Sequence, residues 1–552
     1  MKNNLAVLFL CTVLPQLLLG QNSELTIILG KLTTSIQTVE AKKYSYGQEL
    51  TWDEEYPNKV NFEAIRTGPK GKSTTMELFF NLQDIDKQTI KRSKVKDLLV
   101  VRAYINNKNK YIKTFQDGEK DKYASQVEII ANDVDNARQI EELLKKAIPL
   151  AAKVAEANPL PTDFENQMNW LLANIVDAEK GTDMVTQSVA KEEGFSSRLS
   201  FSAEWEAKRG STTEQWFLNL IDLDDRKIEL KVDKKALYVN VLTKQKKKYI
   251  RYLKNGALDN YSSGFKIYAK DIETGKSIAE VIKMLVINSR EKQKNIATKG
   301  SLALAELVKT TTENDKQFEQ EISGDCIVTL SSTSEKKGES IQHHFKVNLA
   351  DLDPKSVNLQ VAKKTIWVKT KTLKKAKYVE KRKGEELEKF ESEFSIRATD
   401  IENARLLLNS ITAAIKSCEG KSDCADNING NMDEVAKRVA EINNSSSTIE
   451  QSLERVEDSP GQWKFIRTEK KSKGDKEESW IFNIDDINKK KIDFSISKNN
   501  LVIKIQTNQK ESIIKYYKDS EPDGYKNEME WRVKDIESAR ALVCILRAVV
   551  KE

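Results

Sequence analysis

One six-residue string occurs four times in this chain, as Asn81-Leu-Gln-Asp-Ile-Asp86, Asn219-Leu-Ile-Asp-Leu-Asp224, Asn348-Leu-Ala-Asp-Leu-Asp353 and Asn483-Ile-Asp-Asp-Ile-Asn488. A second string follows each of them: Asp133-Val-Asp-Asn-Ala-Arg138, Asp271-Ile-Glu-Thr-Gly-Lys276, Asp400-Ile-Glu-Asn-Ala-Arg405 and Asp535-Ile-Glu-Ser-Ala-Arg540. The leading Asn and the later Asp stand 52 positions apart in every copy, while successive copies start 138, 129 and 135 residues after one another. A constant span within copies and a variable one between them describes four packed units with the length variation outside them.

Lys2 precedes an uncharged run from Leu5 to Leu19 that ends at Gly20, the pattern of an export signal removed near Gln21. The expected domains are then a signal over 1–20 and repeats over 21–155, 156–293, 294–420 and 421–552. Each repeat has the length of a domain with its own core. The expected location is extracytoplasmic: periplasmic, cell-surface or secreted. No later segment has the ~20 uninterrupted apolar residues of a membrane span. The 91 basic and 84 acidic residues interleave, for a net charge of +7, which argues against a dedicated nucleic-acid surface. In an oxidising compartment the close pair Cys418 and Cys424 is expected to form a local disulfide, with Cys326 and Cys544 as buried thiols.

Around the first landmark, apolar residues alternate (Leu78, Phe80, Leu82; Trp216, Leu218, Leu220; Phe345, Val347, Leu349; Trp480, Phe482, Ile484), which predicts a strand with one buried face. The same period recurs at Leu99, Val101, Ala103 and at Val127, Ile129, Ala131 and their counterparts, with a further strand at Tyr111-Ile112, Tyr249-Ile250, Tyr378-Val379 and Ile513-Ile514. After the second landmark the period becomes helical, with Ala137, Ile140, Leu144 and Ile148 matched by Ala539, Leu542, Leu546 and Val550. Helices expected over 25–41, 163–179, 302–312 and 432–442 would join the copies. The fold class is therefore α+β: four tandem repeats, each an antiparallel curved sheet of six or seven strands closed by a C-terminal amphipathic helix. That order resembles the pleckstrin-homology-like superfold, in its topology and over each copy's strands and final helix. The final helices lack the Trp usual in pleckstrin-homology domains proper, so lipid-head-group binding is carried over to no residue.

The paired acids Asp84/Asp86, Asp222/Asp224, Asp351/Asp353 and Asp485/Asp486 suit either calcium or the capping of a turn, and capping accounts for them with fewer ligands. Asp133, Asp271, Asp400 and Asp535 stand at helix N-cap positions, followed by an acid two residues on that complements the helix dipole. His343 and His344 are the only histidines, and neighbours on a strand face opposite ways. No phosphate loop, zinc-type cysteine spacing or nucleophile elbow is present in the sequence. The expectation is no enzyme, cofactor or metal. Lys108, Lys110, Lys246, Lys247, Lys248, Lys374 and Lys375 gather at one recurrent turn, either a charged hairpin tip or a contact with an anionic surface such as a membrane. These features point to an exported binding or scaffold protein that presents four similar modules to a protein or cell-envelope partner. The alternatives are a carrier of a lipid or other apolar ligand and, third, a carboxylate-dependent hydrolase.

Overall fold

The computed structural model describes residues 24–550 apart from 157–158, 182, 208–209, 234–235, 295–302, 314–315, 337–338, 422–423, 425–429, 445–447, 458, 473 and 498. The expected export signal and Leu302 lie outside the described residues. Two compact units, Met1–Thr298 and Lys299–Glu552, each hold two copies of the repeat.

Module one shows how the unit is built. A helix over 24–35 leads into strands Val39–Ala41, Tyr44–Trp52, Lys59–Thr67 and Ser73–Asn81. The chain then moves to a second sheet for Lys91–Val95 and Leu98–Tyr104, returns for Lys113–Gln116 and Glu119–Lys120, and finishes in the second sheet with Gln126–Ala131. All pairings are antiparallel. Helix Val134–Glu156 follows. Modules two and three repeat the same six-stranded and three-stranded sheets, and module four pairs a five-stranded sheet with a three-stranded one. The expected six or seven strands in one sheet are thus corrected to nine in two sheets in modules one to three. The short edge strands escape the periodic pattern because they run from two residues in Glu119–Lys120 to six in Ala257–Ser262, too few to show a period.

The first landmark is where the chain crosses between sheets. Its strand ends at the Asn, and Leu82, expected to extend the strand, opens a 3-10 turn over Leu82–Asp84. Asn219, Asn348 and Asn483 cap this turn by accepting from Ile221, Ala350 and Asp485 amides at 3.3, 3.0 and 3.1 Å. A second turn is capped by Asp86, Asp224, Asp353 and Asn488, which accept from the amide two residues on. Asx side chains are suited to this because they reproduce a backbone turn.

The leading helices are part of the cores and not linkers. Leu25, Leu29 and Leu32 are fully buried with Phe62, Val101, Ala137, Ile140 and Leu144 in module one. Phe164–Asn174 packs on Ile272–Lys294, and Met432–Ala440 on Ile536–Val549.

A glutamine, buried in modules two and four and half-buried in modules one and three, ties the two sheets of each module together. Gln187 donates to the Val176 and Tyr268 carbonyls, each at 3.0 Å, and accepts from the Tyr268 amide at 2.8 Å. Gln48 does the same with Gln37 and Ile130, Gln320 with Lys309 and Arg397, and Gln451 with Val439 and Arg532. One primary amide thereby satisfies a residue of the last strand and a carbonyl at the end of the leading helix or just past it.

The expected Cys418–Cys424 disulfide is corrected: the bonds are Cys326–Cys418 and Cys424–Cys544. Cys418 caps the end of helix Ile401–Ser417 and is buried against its own module, where the turn before Ile327–Lys336 brings Cys326. Cys424 bonds instead to the terminal helix of module four. Cys326 and Cys544 are therefore not free thiols. Proximity in sequence misled because the direction of a helix end, and not residue spacing, decides which sulfur is reached. The bonds close spans of 92 and 120 residues, worth roughly 4–5 kcal/mol each on the chain-entropy account.

Replacing Gln187 by Leu keeps the bulk but strands the Tyr268 amide and two carbonyls. This should destabilise module two by about 2–4 kcal/mol. Denaturant unfolding with hydrogen exchange at Tyr268 should show it, and an unchanged exchange rate there would contradict the clamp.

Candidate functional site: the junctions between paired modules

The second landmark starts the terminal helix of every module. Asp133, Asp271, Asp400 and Asp535 each accept from the amide three residues on, at 2.8 Å in all four cases. Such a cap is worth about 1 kcal/mol. The basic residue at the end of the landmark turns back to the acid three positions before it, at 2.9 Å for Arg138–Asp135, 3.9 Å for Lys276–Glu273, 2.5 Å for Arg405–Glu402 and 3.6 Å for Arg540–Glu537.

In modules two and four that cation also reaches the preceding module of the same unit. Lys276 bonds Asp84, and Arg540 bonds Asp351. The two acids hold one position, three residues past the landmark Asn. Each cation also lies over the same aromatic of the preceding module: Lys276 is 5.0 Å from the Tyr111 ring centre, and Arg540 is 5.4 Å from that of Tyr378. Tyr123 of module one enters the core of module two, and Phe390 of module three enters that of module four. Lys120–Glu179 adds an ion pair to the first junction. In the second, Lys346 reaches Asp535 at 3.0 Å and the Ile536 amide donates to Glu380 at 3.0 Å. Asp351 and Arg540 are almost enclosed, with side chains 6% and 14% exposed. Removing one partner would leave a buried charge, which costs about 3–5 kcal/mol.

This setting moves the carboxylates. Burial pushes Asp84 and Asp351 up, against the pull of Lys276 and Arg540. Burial is also the main cause that brings Glu273 to about 7; Asp84 and Asp271 raise it further, while Lys276 and Lys59 oppose. Asp535 goes the other way, because the Ser538 amide and Lys346 outweigh its burial.

The paired acids do not converge within module one: Asp84 faces Lys276 and Asp86 takes the Gln88 amide. Asp224 and Asp353 likewise cap their own turns. The histidines open into different cavities. His343 lines a cavity of about 400 Å³ within module three, beside Phe318, Phe345 and Trp367, whereas His344 lines the cleft between modules three and four and meets Ser331 Oγ at 2.9 Å. In modules two and four the position of His343 holds Glu214 and Glu478, which accept from Tyr252 and Tyr516 at 2.7 and 2.6 Å. A cleft of about 480 Å³ at the first junction is lined by Trp52, Lys59, Phe79, Lys113, Tyr123 and Glu273.

Lys108, Lys110, Lys246, Lys247, Lys248, Lys374 and Lys375 are exposed. Their turns share a feature with no signature in the sequence pattern: two consecutive left-handed residues, Asn107 and Lys108, Gln245 and Lys246, Lys374 and Lys375, and Gln509 and Lys510. Non-glycine residues pay for that conformation. Thr243, Thr372 and Thr507 brace three of these turns by donating to the carbonyls of Lys247, Ala376 and Glu511. No described helix is long and apolar enough to cross a membrane. No family model, curated protein or solved structure matches the chain.

Glu273 sets a pH dependence on the first unit. Its folded pKa of about 7 lies above the ordinary 4.5, so the folded state holds the proton longer. Its contribution is intact below 4.5 and is lost as pH rises toward 7. Calorimetry should find Glu273→Gln equal to wild type at acid pH and more stable than it at pH about 8. A constant difference across the range would contradict this.

Proposed function

We infer that the protein is an exported, non-enzymatic binding or scaffold protein that presents similar modules to a protein or cell-envelope partner. One observation carries this reading: most of the recurrent carboxylates cap turns and helices or lock modules in pairs. The groups that recur are those that hold surfaces in place. Disulfides persist in oxidising compartments, so the Cys326–Cys418 and Cys424–Cys544 bonds favour an extracytoplasmic location. Each module's path, from two antiparallel sheets into a helix that shares their core, also favours the pleckstrin-homology-like resemblance, with the helix closing the sheet. Modules fixed in pairs engage a repetitive partner with raised effective concentration. The exposed lysine tips are the natural contact with an anionic partner or membrane surface, and binding through them would weaken with salt.

A carrier is the second reading, favoured by the roughly 400 Å³ cavity with three aromatic walls in module three. Photo-crosslinking groups placed at Lys108, Lys247 and Lys374 on the full chain, activated in the native envelope, separate the two. The scaffold reading expects the same macromolecular partner from several tips, with adducts lost at high salt. A co-purified small ligand in native mass spectra, with no macromolecular adduct, would overturn it in favour of the carrier.

A further inference from the structure

The junction contact has two faces, and the positions that form each recur in the other modules of the chain. The outgoing face consists of the acid three residues past the landmark Asn and the side chains 30 and 42 residues past it: Asp84, Tyr111 and Tyr123 in module one, and Asp351, Tyr378 and Phe390 in module three. The incoming face is the second landmark, Ile272 with Lys276 in module two and Ile536 with Arg540 in module four.

Module four carries the outgoing face again, as Asp486, Ile513 and Tyr525. Its apolar members stand in solvent: Ile513 is 41% and Tyr525 59% exposed, against 6% for Tyr123 and 5% for Phe390. Tyr525 lies on Glu521–Lys526, the edge strand of its sheet, exposed at every residue. Asp486 has no ion pair among the described residues. Module one carries the incoming face, with Val134 50% exposed where Ile272 and Ile536 are 7% and 3%. Among the described residues Arg138 pairs with Asp135 alone, and both side chains are largely in solvent.

We propose that the outgoing face of module four docks on the incoming face of module one in a second copy of this chain, so that copies join through the contact used inside each unit. Asp486 then meets Arg138, as Asp351 meets Arg540, and Ile513 and Tyr525 cover Val134. The match is weaker than the internal one for two stated reasons. Ile513 replaces the tyrosine beneath the cation, and Arg92, paired with Glu141 at 2.9 Å, stands where Leu230 and Phe494 pack at the internal junctions. The contact is therefore reversible and salt-sensitive. It is also heterologous: each copy offers one face and receives on the other, so growth continues past the dimer. This association is independent of the binding role inferred above.

Sedimentation of the full chain tests it, with Tyr525→Lys to disable one face and Arg138→Glu to disable the other. Both residues are exposed, and unchanged circular dichroism and melting would confirm that the variants fold. Wild type should form species larger than dimers as concentration rises. Either variant alone should stay monomeric, and an equal mixture should form one-to-one dimers and nothing larger. A wild type that remains monomeric at its solubility limit overturns the proposal. So does an Arg138→Glu variant that dimerises as readily as wild type, since that would reveal a two-fold contact between outgoing faces.

Discussion

A carboxylate from one module held by a cation from the next is the interaction on which each unit depends. Lys276 and Arg540 sit just past the first turn of a helix, near the positive end of a dipole that disfavours a cation. An acid from the preceding module, Asp84 or Asp351, offsets that cost. The pairing of modules thus settles an electrostatic conflict that a lone module would carry. The cap at Asp271 or Asp535 fixes where the helix begins, and so aims the cation at its partner. A single landmark does local and inter-module work, which explains why its spacing from the first landmark admits no insertion.

Inside a module, the same economy governs the sheets. The first landmark caps two successive turns as the chain leaves one sheet for the other, and the clamp glutamine ties the far ends of those sheets. The aromatic at position 30 past the landmark Asn follows the lysine turn, so the turn geometry delivers Tyr111 and Tyr378 to the junctions. Strained left-handed residues persist there because the flanking structure holds them.

Much of the framework was legible in the sequence. The strands at Leu98–Tyr104 and Gln126–Ala131 follow from alternation, and the terminal helix follows from the stripe Ala137, Ile140, Leu144 and Ile148. Three features were not legible, each for a physical reason. The short edge strands are too brief to show an apolar period. The clamp glutamines Gln48, Gln187, Gln320 and Gln451 lie at 33, 32, 28 and 32 residues before the landmark Asn, so length variation in the hairpins hides their equivalence. The disulfides pair residues far apart in sequence, and no local rule reaches that far. The junction itself left a trace, since an acid and a base recur at fixed positions, but local capping explains both residues equally well until the neighbouring module is seen.

Hydrogen exchange at the Ile536 amide of the full chain tests the junction most directly, because that amide donates across it to Glu380. With Asp351→Asn, Arg540→Gln and the double variant compared, either single change should speed exchange by about tenfold or more, given the cost of breaking a buried pair. The double variant should add little to the faster single one, as expected for two ends of one interaction. Additive effects, or an Ile536 rate indifferent to all three changes, would show that the modules are held together by something else.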